Sequence, residues 1–524
     1  MKKYAGILVL ASLIIVVIIP YANSLRNPFM WDEEEIIVSN PMIKDLRYLP
    51  LVFKTDIFGR PVKAGGFYRP LYMLSFAADY RMWGLDPFGY HLFSIILHIL
   101  NALLFYVLMS RIGLQRKTAW LAALLFALFP ANSGAVTPIA MRDGLLMVFL
   151  SMSCLLLFLK GIKSSAVYFF CSALVFVMAV FTKESSLVLP LLIAAYAFIF
   201  LDKDRRRKIF LPLTVLVGIA ALYCVSRFLF LGNPFSRTLS LINEASLIER
   251  LYTLPRILWT SLRIIVAPFV LQSEYHFVVH SFRDAYVWGG APLLVLFSVL
   301  IARRSKPALF FLSWFFICLL PYSNILIPLH ATMTGHWVYF SSMAVAALIA
   351  MGVFALVDVM GSGRALRRVT ALTFIFIAVL CALKIRDRNR EWSDPFVLYQ
   401  KDAEREPDSF LLHCNLGVEY FRRGMLEDAK REFERSNNVC PGRGYDVAYN
   451  NLGVISSREG DISRAISYYK SSILLNDYAL AYENLGSLYN ELGMHEEALS
   501  VLKRGAALYP MDIKIRNILH DIVK

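Results

Sequence analysis

Residues 84–108 read GLDPFGYHLFSIILHILNALLFYVL, a run in which most side chains are apolar or aromatic. About 20 such residues in a helix are needed to cross the roughly 30 Å hydrocarbon core of a bilayer. The whole chain has the same character, because 57% of its 524 residues are hydrophobic and its mean hydropathy is +0.55. Soluble domains do not have this composition. The sequence therefore predicts an all-α, polytopic membrane helix bundle.

Basic residues in the short loops between apolar runs predict how the chain is oriented. Residues 1–384 carry 35 Lys and Arg against 17 Asp and Glu, whereas residues 385–524 carry 19 against 22. Loops enriched in Lys and Arg are normally cytoplasmic. We predict about eleven spans, which places the N-terminus inside and everything after Lys384 on the extracytoplasmic side. The predicted spans lie near 4–22, 88–110, 118–131, 144–160, 165–182, 187–201, 209–230, 286–302, 307–321, 337–357 and 369–384.

Two apolar segments need separate interpretation. The first run resembles a signal peptide, but no A-x-A cleavage site follows it, so we expect an uncleaved first span. The segment 251–271 carries Arg250, Arg256 and Arg263 at helical spacing. This pattern is more typical of an interfacial or re-entrant helix than of a twelfth span. With eleven crossings, the first external loop, residues 21–86, faces the same side as the C-terminal part.

The last 140 residues change to charged, amphipathic helices with a repeating pattern. The tripeptide Asn-Leu-Gly recurs at 415–417, 451–453 and 484–486, in steps of 36 and 33 residues. This period is typical of tetratricopeptide repeats. Such an α-solenoid offers a concave groove for a polypeptide or partner protein, and it does not by itself imply catalysis. The predicted domains are a membrane part over 1–384, a linker over 385–407, and three repeats with a capping helix over 408–524.

Four consecutive acidic residues, Asp32 to Glu35, follow the first predicted span. Carboxylates beside a membrane must lie in water, and such a cluster would bind a cation or accept protons. Adjacent acids repel each other, so one pKa should rise toward the range that a general base requires. The alternative is a solvated acidic rim, which the acidic run taken alone slightly favours.

Other charged residues are predicted to face the same side of the membrane. Arg69, followed by a proline and flanked by aromatic residues, would suit the phosphate of a lipid carrier, or it would simply snorkel to the interface. Arg142 and Asp143 begin the fourth predicted span, and Lys183 and Glu184 lie between two spans with almost no loop. Charges at membrane depth are usually functional, although self-neutralising ion pairs are the alternative.

Histidines and aromatic residues add weaker candidates. His91 and His98 are seven residues apart on one helix face, where structural hydrogen bonds are expected rather than a metal site. The sequence contains no P-loop, G-x-G-x-x-G, H-E-x-x-H or G-x-S-x-G motif, so nucleotide-driven transport and common hydrolase chemistry have no support. The other candidates on the external face are Glu274, Tyr275, His276, His330 and His336.

These motifs together resemble the transmembrane and tetratricopeptide-repeat-containing O-mannosyltransferase-like proteins of the GT-C superfamily. The resemblance covers nearly the whole chain, with the membrane part first and the repeats last. Its most specific match runs from Gly84 to His91 and on to Asn101. Two stretches depart from the family's usual residues: residues 131–134 stand where a His and an acidic residue are usual, and Gly335-His336 stands where a Glu-Arg pair is common. The other matches include Trp31-Asp32-Glu33, Tyr68-Arg69-Pro70-Leu71, Arg142-Asp143-Gly144, Lys183-Glu184 and Ser273-Glu274-Tyr275-His276.

The resemblance implies a membrane glycosyltransferase. Such an enzyme would move a sugar, expected to be mannose, from a polyprenyl-phosphate donor to a protein Ser or Thr hydroxyl on the extracytoplasmic side, with inversion of configuration. Position by position, it implies Asp32 and Glu33 as the catalytic acids, with Asp32 as the base. The residues implied to bind the donor phosphate or sugar are Arg69, His91, Arg142, Asp143, Lys183, Glu184, Tyr275 and His336.

A second interpretation is a non-catalytic membrane scaffold whose repeats recruit partners for envelope or glycan assembly. The expected partners of the enzyme are a polyprenyl-phosphate-linked sugar and an acceptor polypeptide or partner protein held by the repeats. The excess of positive charge belongs to membrane loops and does not indicate nucleic-acid binding. A divalent metal ion would suit the acidic run, but the carboxylates from Asp32 to Glu35 would serve with or without it, and no metal ligands are assigned. In a bacterium, the protein would lie in the inner membrane.

Overall fold

Helices account for nearly all the regular structure in this chain. The only strands in the described ranges are two residues each: Glu274–Tyr275 pairs antiparallel with Met333–Thr334. The predicted all-α class is therefore confirmed. The computed structural model describes residues 2–59, 66–230, 240–284, 287, 305–361, 363–440, 442, 444–510 and 512–523.

The N-terminal part is a bundle of apolar helices. Six helices in the described ranges are long and apolar enough to cross a bilayer, and a pair bent by 52° is a seventh candidate. The chain is thus a multi-pass membrane protein. The predicted span 286–302 lies outside the described residues, apart from position 287. Up to residue 391, the helices of more than ten residues that the structure describes are α1 (Lys2–Tyr21), α2 (Pro70–Trp83), α3 (Pro87–Arg111), α4 (Arg116–Leu128), α5 (Arg142–Lys163), α6 (Val167–Val180), α7 (Leu189–Phe200), α8 (Lys203–Phe230), α9 (Leu247–Val266), α10 (Lys306–Leu319), α11 (Tyr339–Met360) and α12 (Arg364–Glu391).

Helix α9 contains most of the segment 251–271. It begins with a capping box, in which Ser246 and Glu249 bond each other's backbone N–H groups. It is not one of the described helices that are long and apolar enough to span a bilayer. Pro255 lies inside it, and its Arg250 donates to the carbonyl oxygen of Asn324 at 3.0 Å.

Polar side chains inside the bundle satisfy one another. The Nδ1 atom of His98 lies 2.7 Å from the hydroxyl of Tyr339, and its Nε2 atom lies 3.2 Å from the carbonyl oxygen of Ala127. Asn101 donates to the carbonyl oxygen of Leu145 at 3.0 Å and to the same Tyr339 hydroxyl at 3.2 Å. These bonds join α3 to α4, α5 and α11, so both ring nitrogens of His98 have a structural role.

The first external loop folds into short helical turns on α2. Asn40 caps the short helix Pro41–Lys44 by accepting a hydrogen bond from the N–H of Met42 at 3.0 Å. Apolar side chains that follow the acidic run are buried against α2, which fixes the position of the loop. The members of this cluster include Ile36, Ile37, Met42, Ile43, Val52, Tyr72, Met73 and Phe76.

The C-terminal part consists of helical hairpins at the positions of the predicted repeats. Close approach of the two helices in a hairpin depends on a glycine: a Cβ atom on Gly453 would lie 2.6 Å from the ring of Tyr469. The equivalent close contacts join Gly417 to Phe433 and Gly486 to Leu502. The helices are α13 (Pro395–Arg405), α14 (Phe410–Arg422), α15 (Leu426–Val439), α16 (Asp446–Arg458), α17 (Ile462–Asn476), α18 (Ala479–Glu491), α19 (His495–Leu508) and α20 (Ile513–Val523).

The connection between the two parts is itself helical. Helix α12 continues past its apolar portion, and α13 follows it after a short turn. Near the end of α12, the buried Asn389 accepts a hydrogen bond from the Thr137 hydroxyl at 2.6 Å. Its carbonyl oxygen accepts another from the side chain of Asn27 at 3.0 Å. The C-terminal part therefore begins on the face of the bundle that carries the first external loop.

Candidate active site

The acidic run lies where the first loop meets the C-terminal part. Trp31, the residue before it, has a φ of 58°, which is unusual for a bulky side chain. Its indole packs against the rings of Trp392 and Tyr399, with centroids 5.3 and 6.0 Å apart. Tertiary packing thus holds the backbone before Asp32 in a conformation that an isolated loop would avoid.

Glu33 is buried and neutral. Only 2% of it is exposed, and its carboxyl oxygens accept hydrogen bonds from the N–H groups of Met30 at 3.1 Å and Ala140 at 2.9 Å. Burial raises the pKa of Glu33 to about 8, against the opposing effect of these backbone bonds. The carboxyl is therefore mostly protonated at pH 7, which makes it a weaker candidate for the base than Asp32. It links the first loop to the turn that precedes α5.

Asp32 has a different environment from its neighbour. Its side chain is exposed. Desolvation by the surrounding protein, together with the negative charge of Glu274, raises the pKa of Asp32 to about 6. Such a carboxylate is ionised at neutral pH and is more basic than an ordinary aspartate, as a general base requires.

Five charged side chains form a cationic cluster, defined here as Arg69, Asp143, Lys183, Glu184 and Arg227. Arg69 lies 2.6 Å from Asp143 and 3.1 Å from Glu184. Lys183 shares Asp143 at 3.1 Å, and Arg227 lies 4.0 Å from Glu184. Three cations therefore share two carboxylates, which leaves a net positive charge. An anion such as a phosphate would neutralise this charge.

Tyr72 is close to both the acidic run and the cationic cluster. Its hydroxyl donates to the carbonyl oxygen of Ala140 at 2.8 Å, and Ala140 is the residue whose N–H donates to Glu33. The charges of Asp32, Asp143 and Arg69 all act on the Tyr72 phenol. The proposed base and the cationic cluster are thus neighbours of the same side chain.

The two paired strands, Glu274–Tyr275 and Met333–Thr334, are called the hairpin here and carry further charged residues near the site. The Nε2 atom of His276 lies 3.0 Å from a carboxylate oxygen of Glu274. Burial opposes ionisation of both groups, but their hydrogen bond raises the pKa of His276 and lowers that of Glu274. The charges of Glu274, Arg69 and Lys183 all act on His330. In the described ranges, no three His, Cys, Asp or Glu side chains are grouped to hold a metal ion.

Two further predicted donor residues lie near this hairpin. Tyr275 pairs with Met333 across the two strands; its side chain is buried, and its hydroxyl has no hydrogen-bond partner among the described residues. The Nδ1 atom of His336 lies 3.1 Å from the hydroxyl of Thr334, and the charge of Lys183 acts on this histidine. The charge of Lys183 thus relates His336 to the cationic cluster, whereas Tyr275 is buried within the strand pair.

A pocket opens beside Trp31. Gly134 and Gly335 both line it, and their backbones lie close together. A Cβ atom on Gly134 would lie 3.5 Å from the carbonyl carbon of Gly335. The two stretches that depart from the family's usual residues therefore meet at this pocket. Its polar lining includes Ser133, Gln272, Ser273, His336 and Arg388.

Two of the predicted donor residues lie inside the protein instead. Arg142 is fully buried, pairs with Asp79 at 2.5 Å and lies over the ring of Phe76 at 4.6 Å. The Nε2 atom of His91 lies 3.1 Å from the carbonyl oxygen of Asn27. These contacts hold α2, α3 and α5 against the first loop, and they engage Arg142 and His91 away from the cationic cluster.

Three charged residues at the site are not singled out by any sequence pattern. Arg227 completes the cationic cluster, and Arg388 and Asp402 form a buried ion pair of 2.9 Å beside the hairpin. The one available cue is that Arg227 is the single charge within the apolar run 209–230. Arg388 and Asp402 lie in the predicted linker, where charges are normally solvated.

Comparison with known proteins agrees with the motifs. Residues 70–230 match the family model of dolichyl-phosphate-mannose-protein mannosyltransferases, and residues 447–477 and 479–510 match tetratricopeptide repeats. A protein O-mannosyl-transferase of Caenorhabditis elegans is 26% identical over 83% of this chain and 63% of its own length. The protein O-mannosyl-transferase Tmtc3 of Drosophila melanogaster is 22% identical over 94% of this chain and 58% of its own length. The chain thus spans about three fifths of these curated relatives.

Among solved structures, ArnT of Cupriavidus metallidurans, crystallised with undecaprenyl phosphate, aligns with a TM-score of 0.44 and 15% identity. The alignment covers 96% of this chain and 80% of that one. At these values the likeness is loose, and nothing about the chemistry follows from it. The resemblance predicted from the motifs is confirmed by the sequence comparisons: the chain is similar in sequence to proteins named protein O-mannosyl-transferases, and its C-terminal part matches tetratricopeptide repeats.

Proposed function

We propose that this protein is a GT-C-type membrane glycosyltransferase that transfers mannose from a polyprenyl-phosphate donor to a Ser or Thr hydroxyl of a protein. The sequence similarity to protein O-mannosyl-transferases supports this proposal. The observation that carries it is that the charges of Asp32 and of two members of the cationic cluster, Asp143 and Arg69, act on the same Tyr72 phenol. A base and a phosphate site are the two elements that the transfer requires.

In the proposed reaction, the Asp32 carboxylate takes the proton of the acceptor hydroxyl. The hydroxyl oxygen forms a bond to the anomeric carbon while the bond from that carbon to the phosphate oxygen breaks. Polyprenyl phosphate leaves with the bonding electron pair, so a single displacement inverts the configuration. Glu33 is buried and bonded to two backbone N–H groups, so we assign it the role of holding the loop and assign the role of base to Asp32.

The cationic cluster is the proposed site of the donor phosphate. Arg69 is held by two carboxylates, so its guanidinium is oriented before the donor arrives. Lys183 and Arg227 add positive charge where negative charge grows on the leaving phosphate, and donors that are already in place stabilise such a transition state most effectively.

We place the site and the repeats on the extracytoplasmic side, which is the periplasmic face of the inner membrane in a bacterium. The first loop and the C-terminal part contact each other, so both occupy whichever side one of them occupies. The repeats are proposed to hold the acceptor polypeptide. A cysteine at the exposed position Glu496 tests the orientation: a membrane-impermeant maleimide added to intact cells should label Glu496→Cys, and labelling only after lysis would contradict it.

The activity itself is tested with purified full-length protein, polyprenyl-phosphate-linked radiolabelled mannose and a Ser/Thr-rich acceptor polypeptide. We expect label in the polypeptide, released by alkaline β-elimination, with the anomeric configuration opposite to that of the donor. No transfer from any polyprenyl-phosphate sugar, with retained binding of polypeptide by the repeats, would favour the non-catalytic scaffold.

A further inference from the structure

The first helix after the membrane part, α13, touches two separate pieces of the candidate active site. We call it the connector helix and define it as Pro395–Arg405. It follows Trp392 and precedes the first helix of the repeats. Its residues were expected to form a linker, but they are packed between the membrane part and the repeats.

The connector helix holds the hairpin that carries Glu274. Asp402 accepts hydrogen bonds from the N–H of Ser273 at 3.0 Å and from its hydroxyl at 2.7 Å. Glu406, the residue after the helix, accepts one from the N–H of His276 at 3.2 Å. The backbone on both sides of Glu274 is therefore fixed by carboxylates from the C-terminal part.

The same helix also holds the backbone before Asp32. Tyr399 packs on the indole of Trp31, and Trp392 meets that indole edge to face. Met30 lies in one apolar cluster with Leu398 and with residues of the first repeat helix. Since Trp31 has a left-handed backbone conformation, it needs these contacts to stay in place.

Arg388 contacts the connector helix, the segment before Glu274 and Trp392. Its guanidinium pairs with Asp402 at 2.9 Å and donates to the Ser273 hydroxyl at 3.2 Å. It also lies over the ring of Trp392, 5.8 Å from the centroid. Asp402 is completely buried, so this arrangement tolerates little movement, because a displaced carboxylate would lose the bonds from Arg388 and Ser273 that compensate for its burial.

We propose that the connector helix is a positioning element of the active site: Tyr399 and Asp402 set the placement of Asp32 relative to Glu274, so the C-terminal part is required for the chemical step and not only for holding the acceptor. This inference rests on the proposed glycosyltransferase function. The alternative is that the connector helix only attaches the repeats to the membrane part. In that case its contacts would be needed for folding but not for aligning the two loops.

The test compares Asp402→Asn with Glu404→Gln in the full-length protein. Both changes remove one carboxylate charge from the connector helix, but Glu404 is exposed and touches neither loop. In Asp402→Asn we expect kcat to fall roughly 10- to 100-fold, with the KM for polyprenyl-phosphate mannose changed less than about twofold. Glu404→Gln should leave both values unchanged.

A second pair of variants separates alignment from folding. Tyr399→Leu removes the ring that packs on Trp31 and should lower kcat, whereas Tyr399→Phe keeps the ring and should restore it. In the two impaired variants, the acidic limb of the kcat/KM profile should move to lower pH, because a displaced Asp32 gains water and loses the influence of Glu274. The groups that face Asp32 are Glu33, Glu274, Tyr72, Tyr399 and Tyr445.

Hydrogen exchange gives a readout that does not depend on activity. The amides of residues 30–33 should exchange faster in Tyr399→Leu, and those of 272–276 faster in Asp402→Asn, with no change in Glu404→Gln. Unchanged exchange in both segments would overturn the proposal. A loss of kcat in Glu404→Gln as large as that in Asp402→Asn would also overturn it. Faster exchange in a protein that transfers no sugar would instead contradict the proposed function and leave the positioning role of the helix standing.

Discussion

Arg69 and Asp143 form an ion pair of 2.6 Å, although 73 residues separate them in the chain. Arg69 precedes α2, and Asp143 lies in the first turn of α5. Asp143 also pairs with Lys183, and Glu184 pairs with both Arg69 and Arg227, so three cations share two carboxylates. The positive charge of the cationic cluster follows from this sharing.

Lys183→Met should weaken binding of the donor. Asp143 keeps Arg69 as its partner, so the change removes a cation without leaving the carboxylate unpaired. We expect the Kd for polyprenyl phosphate to rise roughly 10- to 100-fold, as for loss of a hydrogen bond to a charged group. Isothermal titration calorimetry in detergent measures it. Lys160→Met is the control, since Lys160 lies at the far end of α5 over the ring of Tyr168; equal weakening there would disprove the phosphate site.

Asp32→Asn should abolish sugar transfer while sparing donor binding. Loss of a general base typically costs about 10²- to 10⁴-fold in rate. Steady-state rates with radiolabelled donor measure the loss, and the Kd for polyprenyl phosphate should stay unchanged. Glu34→Gln is the matched control because it removes a carboxylate charge from the same acidic run at another exposed position. Full activity in Asp32→Asn would refute the assignment of the base.

The activity should depend on pH through Asp32. With its pKa raised to about 6, the carboxylate is protonated below that pH and cannot accept a proton. The value of kcat/KM should therefore fall about tenfold per pH unit below pH 6 and level off above it. Glu274→Gln removes a negative charge that raises this pKa, so its acidic limb should shift to lower pH. A profile that is flat between pH 4 and 7 would rule out this base.

Arg142→Met should destabilise the protein rather than act on the donor alone. Arg142 is buried against Asp79, and removing one partner of a buried ion pair typically costs about 3–5 kcal/mol. The double variant Arg142→Met with Asp79→Leu should recover much of the free energy of unfolding, since no charge is left unpaired. Thermal unfolding in detergent measures both, with the exposed Arg81→Met as control. A stable Arg142→Met variant that has lost donor binding would instead favour a direct role.

Gly453→Ala should destabilise the repeats. A Cβ atom there would lie 2.6 Å from the Tyr469 ring, and overpacking of this kind costs about 1–3 kcal/mol. Faster hydrogen exchange in α16 and α17 would show it. In Gly218→Ala, nothing lies within 4 Å of the new Cβ atom, so exchange should not increase.

Local patterns explain why much of the architecture could be predicted. Apolar runs and the spacing of Asn-Leu-Gly are properties of neighbouring residues, so the helical class and the repeats follow from them. Motifs in external loops were expected to converge; Arg69 and Lys183 meet at Asp143, and the role of these residues in a common site stays a prediction. The partner of a charged residue, in contrast, is not decided by its neighbours in the sequence. Arg142 and Lys183 were both expected to carry a charge at membrane depth, but only the fold pairs Arg142 with Asp79.

The amino-acid sequence by itself determined that this chain crosses a membrane repeatedly, that it ends in helical repeats, and that carboxylates open its first loop. Those features depend on the length of apolar segments and on the spacing of nearby residues. Neither property depends on how distant parts of the chain fold. Tertiary structure alone decided which acid stays ionised and which cations share a carboxylate. It also made the connector helix part of the site, because burial and pairing energies depend on residues brought together from hundreds of positions apart.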